Sequence, residues 1–320
     1  RYVQNITDVG HLVGDREIGE DKVQKQARLE KLEPVEVAYK YEILYFEDMN
    51  RLNILLPSIS CRATGHILEI IEFIESLISK GNAYTTKEGN VYFDVRSFKD
   101  YGKLSGRSIE EAEEGERIEN AKDKRNREDF ALWKRADSEH IMQWSSPWGK
   151  GYPGWHIECS VMSMKYIGNT LDIHFGGLDN MFPHHECEIA QSESLTGKEF
   201  VRYFIHNNLL TVNGTKMGKS LGNFIILKEM FKKIDPMVLR FYILQSHYRS
   251  PLDFTDDAMQ SSHNGFERLK NSIFSLKKFV EGRDVEPKNE FLDIIKLKEE
   301  FLSAMNDDFN TPVAISILYE

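Results

Sequence analysis

Leu171-Asp172-Ile173-His174-Phe175-Gly176-Gly177-Leu178-Asp179 is the stretch on which the reading of the fold turns. Leu171-Asp172-Ile173 predicts an apolar strand. The glycine pair after it has no Cβ atoms to keep a ligand away, and Asp179 can accept hydrogen bonds from ribose hydroxyls. An ordinary strand-to-helix turn would use the same residues, so both readings stand at this point. A helix is expected shortly afterwards, at Phe182-Pro183-His184-His185-Glu186-Cys187-Glu188. Pro183 suits a first turn, and the acidic residues suit the positive end of the helix dipole. Strand, glycine pair and helix in that order are what an α/β fold is made of.

The same helix start carries a possible metal site. His184 and Glu188 are four apart, so they share a helical face and can reach one ion. Cys159, within Gly154-Trp155-His156-Ile157-Glu158-Cys159-Ser160, can add a thiolate from a neighbouring element. A Cys, His and carboxylate set favours Zn²⁺ over Mg²⁺ or Ca²⁺, which prefer shells of oxygen alone. His185 and Cys187 compete as ligands, and capping or core roles would use the same residue types. Three protein ligands with one open position is the catalytic pattern, although a site lacking its fourth protein ligand looks identical.

Further on, Thr211-Val212-Asn213-Gly214-Thr215-Lys216-Met217-Gly218-Lys219-Ser220-Leu221-Gly222-Asn223 follows a strand-like stretch. Asn213-Gly214 predicts a tight turn. Lys216 and Lys219, three apart in a glycine-rich loop, suit a polyphosphate whose charge must be neutralised as it reacts. The spacing is not that of a P-loop. Lysines that merely solubilise a surface would read in the same way.

The remaining chain frames these segments. Val3 to Val9 is a short β-rich piece, and residues 21–50 carry apolar side chains at helical spacing among dense Lys and Glu. Ile67, Leu68, Ile70, Ile71, Ile74, Leu77 and Ile78 predict a helix over 66–79, stopped by Gly81-Asn82. Tyr84, Tyr92, Phe93 and Val95 around Glu88-Gly89-Asn90 predict a β-hairpin. Residues 106–129 pass from an acidic to a basic run, as a solvated surface segment does. Beyond residue 225 the pattern is mostly helical, ending with a helix over 312–320.

Composition excludes several classes. The 320 residues include only three cysteines, Cys61, Cys159 and Cys187, too few to staple the chain as a secreted disulfide scaffold. No apolar run reaches the roughly 20 residues of a membrane span, and the first residues do not form a signal peptide. The net charge of -10 argues against a uniformly basic nucleic-acid coat, though not against local basic patches.

Taken together, the segments around Cys159, His174 to Glu188 and Lys216 to Asn223 resemble the cysteinyl-tRNA synthetase family, within class I of the aminoacyl-tRNA synthetases. Tyr2-Val3-Gln4-Asn5-Ile6-Thr7-Asp8, Asp123-Lys124-Arg125-Asn126, Ser146-Pro147-Trp148-Gly149 and His247-Tyr248-Arg249-Ser250 match as well. So does Met305-Asn306-Asp307-Asp308-Phe309-Asn310-Thr311-Pro312, so the matches run the length of the chain in the family's order. The resemblance implies a Rossmann-type parallel sheet split by an inserted domain, followed by mainly helical elements. It divides the chain into 1–80, the rest of a first Rossmann half; 81–140, the insert; 141–222, a second half with metal site and lysine loop; 223–290, a stem-contact domain; and 291–320, the start of a helical bundle.

By the same resemblance, the activity is ATP-dependent ligation of cysteine to tRNA(Cys) through a cysteinyl-adenylate, with ATP used alongside Mg²⁺. Cys159, His184 and Glu188 fall where the family binds one Zn²⁺, whose open position takes the substrate thiolate. Thr7 and Trp155 would line the amino-acid pocket, Gly176, Gly177 and Asp179 would hold the adenosine, and Lys216 and Lys219 would neutralise the triphosphate, Lys219 also contacting the nucleotide. Gly218 replaces the serine usual in the loop, which implies a more flexible loop that still functions. The chain begins without Met. The family's first signature motif and first zinc-ligand cysteine would lie upstream, in roughly one missing Rossmann unit; Gly10-His11-Leu12 is similar to that motif but stands in the wrong place. A cytoplasmic monomer is expected. A cysteine–aminosugar ligase using the same adenylate chemistry, and a non-catalytic synthetase-like RNA-binding module, are the alternative readings.

Overall fold

A computed structural model describes residues 1–9, 22–108, 123–138, 140–218, 221–281 and 292–320. Gly10-His11-Leu12, most of the charged run and Lys219 lie outside the described residues. Two units divide the chain: Arg1–Phe46 with Leu56–Ile205, and Glu47–Leu55 with His206–Glu320.

In the first unit β1 (Val3–Ile6) is followed by α1 (Lys22–Glu30) and by α2 (Pro34–Arg51), whose last turn belongs to the second unit. β2 (Ile59–Arg62) then returns to pair with β1 in parallel, Val3 opposite Ile59 and Ile6 opposite Arg62. Asp8, buried just beyond β1, accepts hydrogen bonds from the Thr64 N–H at 2.9 Å and from its hydroxyl. That carboxylate fixes the turn into α3 (Ile67–Ser79). α3 buries Ile67, Ile70, Ile71, Ile74 and Leu77 of the predicted stripe together with Phe73, whereas Leu68 is exposed.

β3 (Ala83–Thr85) and β4 (Val91–Phe93) form the expected hairpin, Tyr84 opposite Tyr92. β5 (Phe130–Arg135), β6 (Trp144–Ser146) and β7 (Gly149–Pro153) complete an antiparallel sheet of order β3-β4-β5-β7-β6. Phe93, Leu132 and Trp133 of this sheet belong to a single core with Ile70, Ile74 and Leu77 of α3. Each such side chain contributes about 1.5–3 kcal/mol by leaving water.

Directly after β7 comes α4 (Trp155–Tyr166), and Gly154 allows the junction. Its N–H donates to the Leu132 carbonyl at 2.9 Å, and a Cβ there would stand 1.9 Å from the Ala131 carbonyl oxygen. β8 (Leu171–Gly177) and α5 (Glu186–Thr196) follow, then β9 (Val201–Asn207), which pairs with β8. Ile157 and Val161 of α4 and Cys187 and Ala190 of α5 join the same core as α3.

In the second unit β10 (Leu210–Val212) turns through Asn213 and Gly214, both at positive φ, into β11 (Thr215–Lys216). After α6 (Leu227–Met230) and α7 (Pro236–Leu244), β12 (Leu252–Phe254) pairs with β10 in parallel. Leu52, Val238, Leu239, Tyr242 and Met259 form the core here. α8 (Asp256–Val280) is capped by Thr255, whose hydroxyl accepts from the Ala258 N–H at 3.1 Å. α9 (Leu292–Asn306) and α10 (Thr311–Ile317) pack on each other, with Asn310 capping the second. Between them Asp308 accepts from Arg249 and Tyr248, tying this corner to the segment before β12. No helix among the described residues is long and apolar enough to cross a membrane.

Candidate functional site

Three short segments of the first unit build the site: the first turns of α4, strand β8, and the wide turn Met181–His185 that leads into α5. The helix expected from Pro183 starts later, at Glu186. The reason is Phe182, at φ -137° and ψ 131°, since a residue preceding proline is pushed into extended backbone. The wide turn nevertheless preserves the four-residue relation, and His184 Nε2 stands 2.8 Å from Glu188 Oε1. Cys159 comes in from α4, whose Ser160 hydroxyl donates to the Glu188 carbonyl at 3.4 Å. The donor atoms of Cys159, His184 and Glu188 all lie within 4.8 Å of one another.

Glu188 is fully buried. Burial by itself raises a carboxyl pKa, but the charges of His174 and His184, with the hydrogen bond from His174, outweigh it and hold Glu188 well below its ordinary value. His174 Nε2 donates to Glu188 Oε2 at 2.6 Å. Burial works to lower the His174 pKa, and the Glu188 carboxylate overrides it, so that the net shift is upward. Cys159 shows the opposite balance. Desolvation pushes its thiol well above its ordinary value, and the Glu188 carboxylate pushes the same way. The buried Glu188 carboxylate, held charged, and the Cys159 thiol, held neutral, therefore converge on one point, where a cation would stabilise the charged form of both.

The residues fit Zn²⁺. Tetrahedral bonds of about 2.0–2.3 Å separate ligand atoms by about 3.3–3.8 Å, compatible with the convergence of these three donors. Glu188 Oε1 is buried and makes no hydrogen bond, although His184 Nε2 is beside it. A carboxylate oxygen and an imidazole nitrogen side by side with no hydrogen bond made by the oxygen is an arrangement that two ligands of a shared ion can take. A second triple, His174, His185 and Glu188, also converges. There the Glu188 Oε2 atom is already taken by His174. Cys187, the competing thiol, is buried in the core 3.6 Å from the Tyr101 hydroxyl and is not among these donors.

Trp155, the first residue of α4, lays its ring 4.3 Å from that of His184. Gly176 and Gly177 are the last residues of β8 rather than a turn beyond it. A Cβ on Gly176 would lie 2.5 Å from the His185 ring, so the missing side chain makes room for that histidine. A Cβ on Gly177 would meet the Asp179 carboxylate at 2.3 Å, and Asp179 itself is exposed. Thr7 is exposed and its hydroxyl accepts from Asn5 Nδ2 at 3.2 Å. Lys216 belongs to the second unit, exposed on β11.

Two residues of this region, His174 and His156, escaped the sequence reading, and a third, Glu186, does something else than expected. His174 and Gly176 share a face of β8 by the two-residue period, and that face turns to Glu188 and His185. His156 places its Nδ1 2.9 Å from His184 Nδ1. Glu186, read as a partner of the helix dipole, instead accepts hydrogen bonds from the Gly102 and Ser105 N–H groups, both at 2.9 Å, and so anchors that loop.

Comparison with known proteins gives this geometry a context. Residues 1–264 match the family described as tRNA synthetases class I (C) catalytic domain, and residues 300–320 match the DALR domain. A cysteine–tRNA ligase of Chlorobaculum tepidum is 58% identical over 321 residues, covering 100% of this chain and 64% of that protein. Its counterpart in Deinococcus radiodurans is 53% identical over 320 residues, again covering 64% of the relative. The chain thus spans a little under two thirds of the length of these curated relatives. The methionyl-tRNA synthetase of Mycobacterium tuberculosis bound by methionyl-adenylate shares the fold, with a TM-score of 0.68 at 12% identity over 99% of this chain and 80% of that one.

Proposed function

The chain belongs to the class I tRNA synthetases of the (C) type, and on that premise we propose that the full-length protein joins cysteine to tRNA(Cys) through a cysteinyl-adenylate. The observation that carries this reading is the convergence of Cys159, His184 and Glu188 within 4.8 Å. Those three residues would hold one Zn²⁺. When bound, zinc supplies a soft position that takes the substrate as a thiolate and leaves a serine hydroxyl a poor ligand. Selection on that basis removes the need for a separate editing step, which apolar contacts alone would require.

The residues of the chain then divide the rest of the work. Trp155 and Thr7 line the amino-acid pocket, Trp155 against the His184 ring. Gly176, Gly177 and Asp179 receive the adenosine. Lys216 and Lys219 neutralise the triphosphate, bound with Mg²⁺, while the cysteine carboxylate attacks the α-phosphorus and pyrophosphate leaves. A hydroxyl of the terminal tRNA ribose next attacks the acyl carbon, and AMP departs. No side chain becomes covalently attached, so the rate gain comes from orientation and charge stabilisation. Such an enzyme works where ATP and tRNA meet, in the cytoplasm, and we assign it as a monomer.

The domain division 1–80, 81–140, 141–222, 223–290 and 291–320 belongs to the same proposal. Identity of 58% to a cysteine–tRNA ligase supports tRNA over an aminosugar as the acceptor. The full-length protein is expected to exchange pyrophosphate into ATP only when cysteine is present, and to charge tRNA(Cys). Equal exchange with serine, or cysteine transfer to an aminosugar in place of tRNA, would overturn the reading.

A further inference from the structure

We infer that His156 is a positioning residue that fixes His184 as a metal ligand, by accepting a hydrogen bond from His184 Nδ1–H. The inference rests on the metal reading of Cys159, His184 and Glu188 given above. Two imidazole nitrogens 2.9 Å apart, His156 Nδ1 and His184 Nδ1, are held by one shared proton, because two lone pairs or two N–H groups at that distance repel. Which ring owns the proton follows from the other nitrogen of His184. Its Nε2 faces Glu188 Oε1 at 2.8 Å, on the side of the converging donors. A nitrogen that ligates a cation cannot carry a proton, so the proton of His184 is on Nδ1. His184 therefore donates and His156 accepts.

The surroundings of His156 suit that task. It lies three residues before Cys159 on α4, so one face of this helix presents both a direct ligand and the group that orients another. Phe130 of the antiparallel sheet meets the His156 ring edge-on at 5.7 Å, and Trp155 lies beside it at 5.4 Å, which restricts its rotation. Metal-bound histidines are most often oriented by a carboxylate or a backbone carbonyl. Here the acceptor is a neutral ring. The donor set already includes the buried Glu188 carboxylate and the Cys159 sulfur, and the open position is assigned to a further thiolate. An uncharged acceptor orients His184 without adding another negative group to that set.

The test measures Zn²⁺ affinity of the full-length protein by competition with a chromogenic chelator, for wild type and for His156→Leu, His156→Asn and His156→Gln. Asparagine returns an amide oxygen near the Nδ1 position, whereas glutamine carries it out toward the Nε2 position. His156→Leu and His156→Gln are expected to bind zinc about 10- to 100-fold more weakly, with His156→Asn rescued to within about threefold of wild type. Metal-free melting temperatures of the four proteins should agree, which separates orientation from folding. Wild-type affinity in the leucine variant overturns the inference. So does an asparagine variant no better than glutamine, a comparison that holds even if the leucine variant does not fold. A wild-type protein that binds no zinc removes the metal reading itself, and the inference with it.

Discussion

Around Glu188 the ionisable groups are buried or half-buried and answer one another: His174 donates to one carboxylate oxygen, and the other lies beside His184 and the Cys159 sulfur. In the loop that starts at Lys216 the side chain is exposed and the backbone does the holding. Asn223 bridges that loop, its Oδ1 accepting from the Gly218 N–H at 2.9 Å and its Nδ2 donating to the Lys216 carbonyl at 3.2 Å. Below the hairpin, Asp253 accepts from the Thr211 hydroxyl at 2.6 Å and from the Gly214 N–H at 2.8 Å. The two regions illustrate different ways of building a site. One is a desolvated cluster whose members depend on each other. The other presents charge on a hydrogen-bonded frame, so its side chains can change without disturbing the fold.

Substitution at Glu188 should separate the regions most strongly. Glu188→Ala leaves His174 and His184 without their buried carboxylate and is expected to destabilise the metal-free protein by about 3–5 kcal/mol in chemical denaturation. A loss below about 1 kcal/mol would mean that the cluster is no more interdependent than the loop. Lys216→Ala is the converse case. Stability should stay within about 0.5 kcal/mol of wild type, while kcat for pyrophosphate exchange falls about 10²- to 10³-fold. Unchanged kcat would remove Lys216 from the chemistry.

Acidity provides a finer probe. The Glu188 pKa is depressed in the fold, so its contribution is present above the ordinary carboxyl value of about 4.3 and is lost as pH falls through the lowered folded value. The His174 pKa is raised, so its contribution is complete below about 6.5 and is lost as pH rises through the raised folded value. Metal-free stability should therefore have a plateau between these limits and decline on both sides, and Glu188→Ala should flatten the profile. An unaltered profile in that variant would show that other groups set it. The smallest effect is expected at Asn223. Asn223→Ala loses two partly exposed hydrogen bonds and should cost about 1 kcal/mol or less, with a rise in tryptic cleavage at Lys216 as the sharper readout. Unchanged cleavage would show that the bridge does not frame the loop.

How much of this could be foreseen differs by residue. The α3 stripe and the Asn213-Gly214 turn were legible because local spacing and backbone chemistry determine them. His184 and Glu188 were legible because the wide turn before α5 keeps the four-residue relation that a regular helix would give them. The strand order β3-β4-β5-β7-β6 was not, since pairing across a long insertion leaves no local trace. His156 and His184 are 28 positions apart, and only the packing of α4 beside α5 brings their rings into hydrogen-bond range. Gly176 illustrates a subtler limit: a missing Cβ announces that something comes close, without saying that a neighbouring histidine has taken the space.

Cobalt in place of zinc tests the central claim most directly, because a thiolate bound to Co²⁺ gives a charge-transfer absorption that a hydroxyl does not. The cobalt-loaded full-length protein should already show such absorption from Cys159 and from the upstream cysteine that the family resemblance implies. Adding cysteine is expected to intensify it measurably, as a further sulfur joins, whereas serine leaves the spectrum unchanged. A spectrum indifferent to cysteine at concentrations that saturate pyrophosphate exchange would contradict recognition of the substrate thiol by a metal at Cys159, His184 and Glu188.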